Sequence, residues 1–274
     1  MLTFLFWNLG RRPLHRAIRD IVWSRDVDIV ILAENKIPPA QMLLELNRGS
    51  DDGFHFARGN CEKVDMFCRF NSRFLEPVSE SGRWTIRRLE LPGRPQMLVA
   101  AVHAVSKLHW DADSQGHECI RLAETIRAAE ATVGHENTIV IGDLNMSPFE
   151  PGVVSARGLH AALARDIALR GTRTVQREEY PFFYNPMWGH FGDLASSPPG
   201  TYYRKESEHV AYFWYVFDQV LLRPSLLDSF EHDNVEVISE IVPGDKSTSL
   251  LSESGIPNTD VGSDHLPLVV GLTL

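Results

Sequence analysis

Two short apolar runs separated by one amphipathic segment constrain this chain more than any other feature. The runs are "LTFLFW" at residues 2–7 and the middle of "DIVILAEN", each unbroken in the manner of a strand buried on both faces. Between them, "RRPLHRAIRDIVWSRD" sets Leu14, Ile18, Ile21 and Val22 on one helical face, with Pro13 suited to the first turn. Strand, helix and strand in this order predict two parallel neighbours joined by a right-handed crossover. A further short helix is expected in "PPAQMLLELN".

Beyond residue 60 the texture changes. The runs "VDMFCRF", "WTIRRLEL" and "QMLVAAVHAV", punctuated by Gly, Pro and Ser, read as antiparallel hairpins. A helix is expected in "HECIRLAETIRAAEATV" and an apolar strand in "NTIVIGDLN". The final third holds an aromatic stretch, "YPFFYNPMWGHF", a strand in "YFWYVFDQVLL", a loop-rich segment around 240–262 and a closing strand, "LPLVVGLTL". Mixed strands with flanking helices predict two sheets packed face to face with helices outside. No repeat and no Ser/Gly linker divides the 274 residues, so one domain over 1–274 is expected.

Composition narrows the setting. No run of about eighteen apolar residues occurs, so no membrane insertion is expected. The start, "MLTFLFWNLG", lacks a basic leader and reads as a strand rather than a signal peptide. Cys61, Cys68 and Cys119 show no CxxC spacing and would leave one unpaired, which points to a reducing, cytoplasmic location. A net charge of −9 argues against indiscriminate polyanion binding. It leaves a nucleic-acid enzyme open, because bound divalent cations and local arginines reverse the field at a cleft. No obligate protein partner is implied.

The polar residues that end apolar strands form a pattern. Asn8 follows "LTFLFW", Glu34 follows "DIVILA", His103 follows "MLVAAV", and Asp143 and Asn145 follow "NTIVIG". Asp218 lies inside "YVFDQVLL", and Asp264 and His265 precede "LPLVV". Alone, Gly-Ser-Asp before a strand is ordinary turn chemistry. Six segments supplying carboxylate, amide or imidazole at strand ends suggest a site at one edge of a sheet.

The ordered set "WN", "AENK", "VHAVSK", "GDLN", "FDQVLL" and "GSDH" resembles the deoxyribonuclease-I-like endonuclease/exonuclease/phosphatase superfamily and spans nearly the whole chain. The resemblance implies a four-layer α/β sandwich and divalent-metal-dependent cleavage of phosphoester bonds. Two positions depart from the pattern. Ala33 stands where Gln usually precedes the glutamate, and Gly10 where some apurinic-site endonucleases carry a further metal-associated acid.

Roles follow from the chemistry of phosphodiester hydrolysis, which needs positioning and charge neutralisation. Mg²⁺, with Mn²⁺ as an alternative, takes one or two protein carboxylates and keeps several waters. Glu34 is the expected direct ligand, Asp264 a second ligand or a support for water, and Asn8 orients the ion or a phosphate oxygen. His265 needs an aspartate on its far ring nitrogen to fix the tautomer, a role that suits Asp218. Asp143 and Asn145, two apart, point to one side of an extended chain and would polarise and align the attacking water. Whether Asp143 or His265 removes the proton stays open at this level. His103 falls at the phosphate-contacting or leaving-group position.

Substrate selection is less legible. Arg11 and Arg12 follow Asn8 and either contact flanking phosphates or form an exposed helical turn. The arginines of "RWTIRRLELPGR" read equally well as solvated. Six aromatics and Met187 between Tyr180 and Phe191 form either core or a stacking platform, with Trp188 the exposed member. "GDKSTS" at 244–249 lacks the spacing of a phosphate loop. The leading expectation is a Mg²⁺-dependent endonuclease acting on DNA. The alternatives are a phosphoesterase for a small or lipid-derived ester and a catalytically silent binding module.

Overall fold

The computed structural model describes residues 1–49, 53–107, 110–193, 198–205, 207, 209–242 and 247–274. Two large sheets dominate. In the first, the order across the sheet is Val235–Val237, Leu268–Leu272, Leu2–Asn8, Ile29–Ala33, Val64–Cys68 and His55–Phe56. The opening strand–helix–strand unit forms as expected. Leu2–Asn8 and Ile29–Ala33 pair in parallel, and the helix His15–Ser24 between them buries Ile18, Ile21 and Val22. Pro13 sits just before this helix, whose N-cap is Leu14.

The second sheet runs Leu75–Glu80, Trp84–Leu89, Met97–His103, Thr138–Asp143, Asp218–Leu222, Phe183–Tyr184 and Ala161–Ala162. Met97–His103 and Thr138–Asp143 are parallel, and the helix Ala112–Val133 connects them. Alternate residues of these strands serve two cores. Val99, Ala101, Ile139 and Ile141 join the cluster shared with the first sheet. Leu98, Ala100, Val102 and Val140 face Cys119, Leu122, Ile126 and Ala129 of the helix. The result is helix, sheet, sheet, helix, a four-layer α/β sandwich, and the strands read as continuous apolar runs because both faces are dry.

Three local expectations change. "VDMFCRF" is not a hairpin partner of the two runs after it. Val64–Cys68 pairs with Ile29–Ala33 in the first sheet, while Trp84–Leu89 and Met97–His103 pair in the second. "YFWYVFDQVLL" is two strands, Trp214–Tyr215 and Asp218–Leu222, because Phe213 turns with φ +62° and Trp214–Tyr215 folds back on Tyr202–Tyr203. Of "GDKSTS", residues 244–246 lie outside the described residues, and Thr248–Ser249 pairs with Glu240–Ile241. No helix among the described residues is long and apolar enough to cross a membrane.

Candidate active site

Strand register gathers the polar residues. His103 lies opposite Asp143 on the parallel neighbour, and Asp143 opposite Asp218 on the antiparallel one, so three adjacent strands present one row. In the first sheet Asn8 is level with Ala33, which places Glu34 beside it. The two sheets are tied at this edge by Asn8 Nδ2, which donates to Asp143 Oδ2 at 2.9 Å. The glycine of "GDLN" is required by the same register. A Cβ on Gly142 would lie 2.0 Å from the carbonyl oxygen of Val102.

His265 reaches the row from the loop before Leu268–Leu272. Its Nδ1 lies 2.8 Å from Asp218 Oδ2 and 3.1 Å from Oδ1, while Trp7 Nε1 donates to its carbonyl at 2.8 Å. Asp218 is fully buried and lies behind His265, outside the cavity lining. Thr201 Oγ1 accepts from the backbone N–H groups of Phe217 and Asp218 and holds that strand start in place. With Nδ1–H committed to the carboxylate, Nε2 is the free ring edge, 3.9 Å from Asp143 Oδ2. Burial alone would lower the His265 pKa, but the charges of Asp218 and Asp143 and the Asp218 hydrogen bond outweigh it and raise it above the ordinary value. The Asp218 pairing therefore favours the imidazolium form of His265. Burial also raises Asp218, opposed by the charge and hydrogen bond of His265.

His103 has the opposite character. Its Nε2 lies 3.7 Å from both Glu34 Oε1 and Asp143 Oδ2, and its buried Nδ1 has no protein partner. Burial lowers its pKa, and the two carboxylates only partly compensate. The two neighbouring histidines are thus pushed in opposite directions, His265 toward the charged form and His103 toward the neutral one.

Glu34 is held by backbone strain. Arg11, Glu34 and Asn145 all have positive φ, +65°, +49° and +51°, a conformation costing roughly 1–2 kcal/mol per residue without a glycine. Strain gathered at one edge is typical of functional positions. The adjacent helix begins only at Pro39, so Glu34 does not cap it. Asn145 returns its N–H to Asp143 Oδ1 at 2.8 Å and its Nδ2 to the Ala104 carbonyl at 3.2 Å. Asp264 accepts from Ser263 Oγ at 3.0 Å and lies against Gly10, where an added Cβ would be 3.0 Å from Asp264 Oδ1. Glycine at position 10 therefore makes room for Asp264.

A cavity of about 700 Å³ is lined by Asn8, Glu34, His103, Asp143, Asn145, Asp264 and His265. Three residues weighed from the sequence as substrate contacts are not part of this lining. Arg11 does not line it; its side chain is 70% exposed, with Nε 3.5 Å from Glu34 Oε2. Arg12 donates to the Thr259 carbonyl. Trp188, in the 3₁₀ turn Pro186–His190, is half-buried and its ring meets that of Phe149 at a tilt, centroids 6.2 Å apart. The arginine run is not uniformly solvated either, since Arg87 is buried and pairs with Glu80 at 3.1 Å.

Sequence reasoning missed much of the rest of the wall, including Lys107, Phe149, Tyr202, Arg204, Tyr212 and Phe217. Lys107 ends the "VHAVSK" run and Phe149 follows "GDLN" closely, so proximity to a motif was the available signal. The Lys107 ammonium is already neutralised by both oxygens of Glu150 at 2.6 Å. Tyr202 stacks beside His265, centroids 4.5 Å apart, and on Phe217 at 5.2 Å.

The donor set suits a hard divalent cation. Glu34, Asp143 and Asp264 bring three carboxylates to one cavity, and the Asn8 side-chain oxygen, which accepts from Gly10 N–H at 3.1 Å, keeps a second lone pair. Ligand atoms of Asp143, Asp218 and His265 also lie within 4.8 Å of one another. In that trio, however, His265 Nδ1 and Asp218 are spent on each other.

Two mixed sheets packed face to face, with polar strand ends meeting at one edge, define the deoxyribonuclease-I-like fold, the fold of endonuclease/exonuclease/phosphatase structures. No family model and no curated protein matches the chain. Among solved structures, the 3′ phosphatase NExo from Neisseria bound to product DNA hairpin aligns with TM-score 0.57 and 14% identity, over 100% of both chains. An endonuclease/exonuclease/phosphatase family protein from Bacteroides thetaiotaomicron aligns at 0.56 and 13%, over 99% of this chain and 97% of that one. Truncated TDP2 from Caenorhabditis elegans aligns at 0.55 and 14%, over 100% and 97%. At such identities the likeness establishes the fold.

Proposed function

We propose that this chain is a Mg²⁺-dependent phosphodiester hydrolase acting on nucleic acid, DNA first, in endonuclease mode, with Mn²⁺ able to replace Mg²⁺. One observation carries the reading. The Glu34 carboxylate and the Asp218-buttressed ring of His265 face one cavity, with Asp143 and His103 between them. A charged donor, a carboxylate acceptor and a cation-binding acid around one point are the parts that phosphoryl chemistry needs.

Glu34, Asp264 and Asn8 would hold the ion, which when bound neutralises the charge that builds on the phosphoryl oxygens. His265, kept protonated by Asp218, donates from Nε2 to a phosphoryl oxygen. A ring held in that form is a poor base, which favours Asp143 as the group that takes the proton from the attacking water. Asn145, fixed by its backbone bond to Asp143, aligns that water or the phosphate. Neutral His103 meets a phosphate oxygen or the leaving group through Nε2. The 274 residues would act as one domain, a reading supported by a first sheet built from both ends of the chain. A reducing, cytoplasmic setting is supported by three free cysteines. The NExo and D. rerio TDP2 structures that hold DNA products lend DNA its precedence.

A second reading, a phosphoesterase for a small or lipid-derived ester, is favoured by one feature. Among the described residues lining the cavity only Lys107 and Arg204 carry fixed positive charge, and Lys107 is paired. Plasmid, linear DNA, RNA and an inositol-phosphate panel, each with Mg²⁺ or chelator, separate the two. Expected are chelator-sensitive nicking of plasmid and its loss by at least 10²-fold in Glu34→Ala and His265→Ala. Full cleavage by either variant would remove the assignment, and turnover of inositol phosphates alone would select the second reading.

A further inference from the structure

One side of the cavity continues outward into aromatic surface. Phe149 holds three rings around it: Trp188 at 6.2 Å, Phe191 at 5.7 Å and Tyr212 at 5.7 Å between centroids. Phe149, Val210 and Tyr212 line the cavity, so the cluster and the site are continuous. Yet Val210 is 72% exposed, Tyr212 53%, Phe213 44% and Phe191 36%. Large apolar side chains gathered in one exposed patch mark a binding surface.

The backbone is strained to present this patch. Phe213 has φ +62°, an unfavourable conformation for a bulky residue, and its carbonyl accepts from Arg204 N–H at 2.9 Å. That bend folds Trp214–Tyr215 back on Tyr202–Tyr203 and leaves Tyr212 and Phe213 facing outward beside the site.

Resting on the hydrolase reading above, we propose that the Phe149–Tyr212 rim is a stacking subsite for an unpaired base next to the scissile phosphate. The favoured substrate is then a single strand, a frayed end or a gap, not an intact duplex. A ligand joining a phosphoester to a flat apolar face matches a phosphate cavity that opens directly onto aromatic rings. In the interior of a duplex both faces of each base are already stacked, so a base that lies on Tyr212 there must first be unpaired. A lipid surface is the less favoured occupant. The patch is continuous with a concave cavity, which a single strand enters with its phosphate and a flat leaflet does not.

Tyr212 is exposed, so its substitution leaves the core untouched. The test is fluorescence anisotropy with a short labelled thymidine oligonucleotide, alone or annealed to its complement, with Ca²⁺ or chelator to prevent turnover. Wild-type protein should bind the single strand more tightly than the duplex. Tyr212→Leu, apolar but without a π face, should weaken single-strand binding about tenfold and leave duplex binding unchanged, while Tyr212→Trp retains it. Equal wild-type affinity for the two forms, no single-strand binding, or full affinity in Tyr212→Leu would overturn the proposal. So would a Tyr212→Leu defect confined to phosphatidylcholine vesicles. Hydrolysis of bis(p-nitrophenyl) phosphate by wild-type protein is scored separately. Its absence, with stacking intact, removes the hydrolase reading and leaves the subsite.

Discussion

Replacing Glu130 by alanine tests how the site strand is anchored from its far end. Asp218 begins the strand Asp218–Leu222, and Arg223 follows it. Arg223 Nε and Nη2 reach Glu130 Oε1 and Oε2 at 2.8 and 3.0 Å, and Thr138 Oγ1 donates to Oε1 at 2.7 Å. Both partners are buried, with side-chain exposures of 2% and 5%. The guanidinium also donates to the Phe182 carbonyl at 3.0 Å and lies 3.9 Å over the Phe183 ring. Removing one partner strands a buried charge, which costs about 3–5 kcal/mol. The surviving contacts to Phe182 and Phe183 place Glu130→Ala near 3 kcal/mol by that same scale. For a chain of this size each kcal/mol moves Tm by roughly 2–4 °C, so a fall of about 10 °C is expected. Urea midpoints and thermal scans measure it. The double variant Glu130→Met/Arg223→Met should recover most of the loss, because a packed apolar pair avoids the desolvation of both ions. A loss under about 1 kcal/mol in Glu130→Ala would refute the argument, since that is the value of an exposed pair.

Three further outcomes follow from single contacts. Gly142→Ala, whose new methyl group would sit 2.0 Å from the Val102 carbonyl, should lose about 3 kcal/mol or more in urea unfolding. Burial pushes the Cys119 thiol up to about 12 and that of Cys68 up to about 11, so a thiol reagent should modify Cys61 first in the native protein and all three only after unfolding. Burial raises the Asp28 carboxyl more than the Thr3 N–H lowers it. The folded state therefore binds that proton more tightly, and stability falls as pH rises from the unfolded value of about 3.9 through the raised folded one. Asp28→Asn, which still accepts from Thr3, should flatten this step and unfold at higher urea than wild type near neutral pH; an unchanged profile would contradict the linkage.

Much of the framework was legible in the residues because it is local. Apolar runs buried on both faces announce their strands, and Ile18, Ile21 and Val22 repeat at helical spacing on the face that packs. The polar strand ends were legible for the same reason: an Asn, Glu, His or Asp closing an apolar run stands out against its neighbours. The hairpin error at "VDMFCRF" shows the limit. A strand's pattern states that it is buried without stating which sheet receives it, and only pairing with Ile29–Ala33 decided that.

What the tertiary structure alone decided is geometry between distant segments. Register across three strands set His103, Asp143 and Asp218 in one row, and packing of the two sheets joined Asn8 to Asp143 over 135 residues. The opposite pulls on His265 and His103 come mainly from what the fold sets around them, Asp218 and Asp143 beside the first and burial of the second. The aromatic rim was hidden for a related reason. Phe149 and Tyr212 lie far apart along the chain, and the turn at Phe213 that presents Tyr212 is a backbone state that a phenylalanine does not advertise. Side-chain identity sets which elements form; long-range packing, whose entropy cost is met only when the whole core closes, sets which side chains meet.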